Sequence, residues 1–217
     1  MDEPPRRGDA SRRAYVDVLR DGYTVVRRDH ALLSMVCLQV VLMSAWAGFA
    51  LLSQPFLARH GVPLGLFGVL SSAVMLASAV TGLASGRFVR RVGIARAFVA
   101  ALVGAVSGLA LLAAVDEVWA FVGFALTAAA IGVVHPAGIS YVNERVDSSV
   151  RATVMSVAPF GESIATAITN TGAGVLGEAS LRLAFAVLAL VTALVGAAAF
   201  AAWWAADRAA PTRTVGP

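Results

Sequence analysis

The sequence contains no lysine; all 17 of its basic residues are arginine. Cysteine is almost absent too, with Cys37 alone, which excludes an intrachain disulfide and any multi-cysteine metal site. Charge of either sign is scarce, at 14% of 217 residues against 59% hydrophobic, and the mean hydropathy is +0.78. Those values exclude an ordinary soluble domain and make a lipid bilayer the expected solvent. The formal charge of +4 does not point to nucleic acid, because the arginines stand in short clusters between long apolar runs and form no soluble basic face. A cleavable leader is not expected either. The first apolar run follows a charged segment and is too long and too late for one, so the amino terminus is expected to be retained.

Catalytic signatures are missing as well. There is no P-loop, no Rossmann glycine pattern, no metal-ligand cluster, no paired N-P-A half-helices, and no G-x-S-x-G-like serine matched by a histidine on a later apolar segment. An enzyme reading has no support from these residues, and no cofactor or metal is implied.

What is present is apolar length. Crossing about 30 Å of hydrocarbon takes about 20 helical residues, and the chain divides into six segments of that size: 31–56, 64–86, 95–115, 118–142, 151–176 and 182–205. The expected class is therefore an all-α membrane protein whose bundle spans 31–206. Residues 1–13, rich in Pro and Arg, read as a tail. Over 14–30, Tyr15, Leu19, Tyr23 and Val26 recur at helical spacing among charged residues, which predicts an amphipathic interfacial helix. Residues 207–217 read as a second tail, and Trp203 and Trp204 just before it suit an aromatic belt.

Arginine placement orients the bundle. With both termini cytoplasmic, fifteen arginines fall inside and only Arg59 and Arg182 outside, the asymmetry the positive-inside rule demands. Arg59 and His60 then read as solvated groups of an outer link. Abundant alanine and the missing lysine suit a prokaryotic inner (cytoplasmic) membrane. Small residues four apart, at Ser78, Gly82 and Gly86 and at Gly104 and Gly108, permit close helix approach.

Ionisable groups inside an apolar span are costly and mark candidate function. Glu162 lies in the middle of the fifth segment, and Thr166, Thr169 and Asn170 share its helical face. The fourth segment carries His135 followed by Pro136, which frees the Gly132 carbonyl, and Pro159 precedes Glu162 in the same way. His135 and Glu162 are equidistant from the link midpoint near Ser148, so both lie roughly 15–20 Å from the same membrane face. With the fourth and fifth segments as antiparallel neighbours, carboxylate and imidazole could exchange a proton near neutral pH. The competing reading makes His135 a donor to a neighbouring carbonyl and Glu162 a tether between helices. Gln39, in the first segment, is either a substrate-path residue or a packing contact.

The link between the second and third segments reads Gly86, Arg87, Phe88, Val89, Arg90, Arg91, Val92, Gly93, Ile94, Ala95, Arg96. It resembles the G-x-x-x-D-R-x-G-R-R loop of major facilitator superfamily transporters, with Gly86, Arg91 and Gly93 in matching places and Arg90 where the family has aspartate. The arginine-bearing lead-in before the first segment resembles the linker between that family's two halves. The Asn143–Thr153 link resembles the loop before its penultimate helix. The resemblance covers nearly the whole chain and implies helices seven to twelve of a twelve-helix fold, built as two inverted three-helix repeats. It implies a half-transporter that moves a small-molecule substrate across the lipid bilayer, with proton-coupled efflux by antiport as the family's common outcome. A homodimer or a separate amino-terminal half would then complete it. The alternative class is a non-transporting membrane interaction module or a truncated transporter fragment.

Overall fold

The computed structural model describes Thr24, Arg27 and residues 29–146 and 148–209. The expected tail at 1–13, most of the amphipathic helix at 14–30 and the last eight residues of the carboxy-terminal tail lie outside the described residues.

Among the described residues the fold is helical throughout, with no strand. Six long helices follow one another: α1 (His30–Arg59), α2 (Leu64–Val92), α3 (Ile94–Ala114), α4 (Val122–Arg145), α5 (Ser148–Ala179) and α6 (Leu181–Ala209), with a 3-10 turn at Val118–Phe121 before α4. All but α5 are long and apolar enough to cross a membrane. The exception is the segment with Glu162, Thr166, Thr169 and Asn170 in its middle.

Two features differ from the sequence expectation. The segment resembling a family loop is helical through Val92, because nothing before Gly93 breaks the hydrogen-bond ladder. The chain reverses at Gly93, whose φ of 84° is open to glycine and strained for other residues. Pro136 and Pro159 also leave α4 and α5 uninterrupted. The carbonyl that Pro136 frees, that of Gly132, is turned toward Gly82 of α2.

Sequence neighbours are mostly not packing neighbours. α2 lies along α4, α3 along α4 and α6, and α1 along α6 and α5, with a lesser contact to α4, while α4 and α5 barely touch. In lipid the hydrophobic effect supplies no net attraction between helices, so close approach at small residues has to do so. Gly108 and Gly123 make that approach between α3 and α4, where a Cβ on Gly108 would strike the Gly123 carbonyl and Thr127. Thr127 Oγ1 donates to the Gly123 carbonyl at 2.9 Å and lies 3.4 Å from that of Ala105. Gly132 does the same between α4 and α2, facing the Ser78 carbonyl and Thr81. The core between these contacts is aromatic toward one end, with Phe49, Phe56, Phe124 and Phe185 in mutual ring contact. Toward the other, Trp203 is fully buried against Phe98 and Tyr141. Trp203 is therefore a core residue and not part of an aromatic belt; Trp204, with Arg208 over its ring at 4.3 Å, is the partly exposed one.

Each end of the bundle carries a polar clasp. At the arginine-rich end, Asp29 caps α1 by accepting from the Ala31 and Leu32 N–H groups, both at 3.0 Å. Arg145, ending α4, donates from Nε to Asp29 at 3.1 Å and from Nη1 to Asp207 of α6 at 3.0 Å. Tyr141 donates to the same Asp207 oxygen at 2.7 Å. Three helix ends are thus joined through one guanidinium. At the opposite end Arg59 and His60 meet Asp116, at 2.9 and 3.5 Å, so they are paired and not merely solvated. Arg182 Nε and Nη2 donate to the Ala113 and Ala114 carbonyls at 3.0 and 3.1 Å, satisfying the end of α3.

Asp29 supplies a pH test of the first clasp. Burial pushes its carboxyl up, but the Leu32 N–H, Arg145 and the Ala31 N–H together hold it below the ordinary aspartate value. A group with a depressed folded pKa adds stability above its unfolded value of about 4 and loses it as pH falls through the folded value. Thermal stability in detergent is therefore expected to fall as pH drops below about 4, and Asp29→Asn to flatten that part of the profile.

Candidate functional site

α1 stands between α4 and α5; among the described residues those two meet only near one end, where Leu32, Val142, Val146 and Val154 cluster, and a groove is left along the rest of α1. Its walls follow from two contacts. Gln39 of α1 points into a notch at Gly138 of α4, where a Cβ would collide with its amide. Gly48 of α1 takes Thr169 of α5 against it, 2.9 Å from where its Cβ would be. The side of α1 between those directions stays uncovered: Val40, Met43 and Ala47 are half-buried, and Leu51 and Gln54 are exposed.

His135 stands exposed on the α4 wall and Glu162 half-buried on the α5 wall, beside Gly161, which packs on Val40. The sequence expected the pair to meet because their helices pack side by side. Among the described residues those helices meet only slightly, through Val142, Val146 and Val154 near one end, and the two groups stand on opposite walls of the groove. Neither side chain makes a hydrogen bond or an ion pair among the described residues.

Thr166 and Asn170 continue the half-buried face of α5 below Glu162. The Asn170 Oδ1 is buried without a hydrogen-bond partner. Such an atom costs about 1–3 kcal/mol when it stays unmatched, so its acceptor is free for a donor from outside the described residues. Gln39 is placed differently, at 5% exposure in the α1–α4 contact, with Nε2 buried and unpartnered. Thr166 and Asn170 therefore accompany Glu162, while Gln39 stands behind the α4 wall. Gly86, Arg90, Arg91 and Gly93 lie at the far end of α2 and its turn, away from the groove. No group of three or more His, Cys, Asp or Glu side chains able to hold a metal occurs among the described residues.

Sequence reasoning missed Gly138, which makes room for Gln39, and the Asp29–Arg145–Asp207 clasp. The only local trace of the clasp was Tyr141 and Arg145 four apart on one face of α4, with the cation 5.3 Å from the ring.

The groove thus has an apolar floor on α1 and polar side chains on its two walls. The family model described as Major Facilitator Superfamily matches residues 32–217. No curated protein and no solved structure gave a match. With the match running over residues 32–217, and five of the six long helices apolar enough to cross a membrane among the described residues, the protein belongs to the major facilitator superfamily, a multi-pass membrane protein of transporter kind.

Proposed function

We propose that the groove is one half of an alternating-access site for a small solute, with Glu162 and His135 as the proton-carrying pair of an efflux antiporter. The observation that carries this reading is the pair itself: two ionisable side chains on opposite walls of one groove, without hydrogen-bond or ion-pair partners among the described residues. A carboxylate and an imidazole so placed can hold one proton between them in one state of the groove and release it in another. Thr166 and Asn170 supply hydrogen-bonding groups for the solute beside them. Gln39 holds the α4 wall in register with α1 and reaches the path only from behind.

The helices form two inverted repeats, α1–α3 and α4–α6. Exchanging each helix for its counterpart three places on turns α2 against α4 into α5 against α1, and α3 against α4 into α6 against α1. It leaves α1 against α4 and α3 against α6 unchanged, and each of those contacts is present. Alternating access rocks two such bundles about a common site, so a second copy of this chain or a separate half closes on the groove. The arginine-rich end faces the cytoplasm of an inner membrane, with both termini there.

The test is transport by the full chain in sealed vesicles carrying a proton gradient, with a panel of small organic cations as trial solutes. Gradient-driven movement is expected, and Glu162→Gln is expected to lower it by at least ten-fold while uptake without a gradient persists. Unchanged gradient dependence in that variant would remove the coupling role. A bundle that serves only as an interaction module would show no gradient-driven flux in either protein.

A further inference from the structure

α2 is the least buried of the helices. It rests on α4 along one side, through Ser78 and Thr81 against Gly132 and through Gly82, and only Val74 and Ser85 are fully buried. On the side directly away from α4, Leu76, Val80 and Leu83 are 62%, 55% and 85% exposed. At 100° per residue Arg87, Arg90 and Arg91 continue that same stripe toward the helix end. Arg96, in the first turn of α3 just past Gly93, joins them, and all four are exposed. None of the four is in an ion pair or hydrogen bond among the described residues.

An apolar stripe about 10 Å long that runs into four unpaired guanidiniums has the two-part chemistry of a phospholipid laid along a helix. We propose that Arg87, Arg90, Arg91 and Arg96 hold the headgroup of an anionic phospholipid whose acyl chains lie on Leu76, Val80 and Leu83. Charge complementarity selects this occupant over a second copy of the chain. At that end of the bundle Asp29 and Asp207 are taken up by Arg145, which leaves Glu144 as the remaining described carboxylate. Among the described residues, a second copy meeting this face with its own would bring arginine to arginine. Guanidinium groups also donate two parallel N–H bonds to phosphate oxygens in one plane, and a zwitterionic headgroup offsets part of the phosphate charge they pair with.

The experiment is native mass spectrometry of the purified full chain in detergent, mixed with phosphatidylglycerol or with phosphatidylcholine of the same acyl chains. Phosphatidylglycerol is expected to be retained at least ten-fold more strongly, because its net negative headgroup is the one the arginines attract. The combined Arg87→Gln, Arg90→Gln, Arg91→Gln, Arg96→Gln variant is expected to lose the preference, and lysine at the same four positions to keep most of it. Leu83→Ser is expected to weaken lipid retention without altering competition by inorganic phosphate. Equal retention of the two lipids, or an unchanged preference in the glutamine variant, overturns the proposal. So does displacement of the lipid by an equal concentration of inorganic phosphate, which would make the cluster a free-anion site. Disulfide formation between copies carrying Leu83→Cys in bilayers would assign the stripe to a protein contact and overturn it as well.

Discussion

Gly132→Leu is expected to separate α2 from α4 and to destabilise the bundle by roughly 3 kcal/mol or more, at or beyond the upper end of ordinary overpacking. Its Cβ would fall onto the Ser78 carbonyl and the Thr81 hydroxyl, and the first of these is backbone, which cannot swing aside. Thr81 is already committed, its hydroxyl donating to the Ala77 carbonyl at 2.9 Å and lying 3.0 Å from that of Ser78. α2 has little else to hold it, since it makes only minor contacts with α3 and α1. The helix would have to move outward as a unit, and thermal unfolding in detergent should report the loss. Gly172→Leu is the control: no atom outside its own helix lies within 4 Å of a Cβ there. It should be neutral or slightly stabilising, because glycine inside a helix is worse than other residues by roughly 0.5–1 kcal/mol. Equal losses at both positions would show that the α2–α4 contact is looser than described. Gly138→Ala belongs between these limits. Its Cβ meets the end of a flexible side chain, so Gln39 can retreat, and Gln39→Ala should rescue the variant.

Arg145→Met should cost about 2–4 kcal/mol, below the 3–5 kcal/mol typical of breaking a buried pair, because the side chains involved are between 21% and 32% exposed and partly screened. The loss is larger than for one surface ion pair since two carboxylates from different helices are left without their cation. Asp29 would keep its two N–H donors from Ala31 and Leu32, and Asp207 would keep the Tyr141 hydroxyl. A double-mutant cycle with Asp207→Asn separates the contributions. If the clasp acts as a unit, the two changes together should cost clearly less than their sum. Additive losses would mean that the Arg145–Asp207 bond contributes nothing measurable. Lysine at 145 should recover little, because one ammonium cannot reproduce two guanidinium bonds directed at opposite carboxylates.

Much of the site was legible from local pattern. Glu162, Thr166 and Asn170 share a face because helical periodicity allows nothing else, and that face does turn from the open surface toward α1. The depth match of His135 and Glu162 is an expectation from counting residues. The walls on which they stand were not legible. Counting gives height along a bundle, whereas lateral neighbours depend on which glycines face which ridges, and here α4 goes to α2 and α3 while α5 goes to α1. Trp203 shows the same limit. Its position near a helix end fits an aromatic belt, yet Phe98, Tyr141 and Phe200 enclose it. Arg59 and His60 read as solvated for want of a visible partner, and Asp116 reaches them only because α1 and the α3–α4 link end at the same level.

By itself the sequence determined the solvent, the number of helices and the family resemblance, because apolar length and the positions of arginine are properties of one segment at a time. Only the tertiary structure decided the groove, the two clasps and the open arginine-tipped face of α2. Each of these depends on helices far apart in sequence being brought together at glycine notches, and a notch has meaning only once the residue that enters it is known.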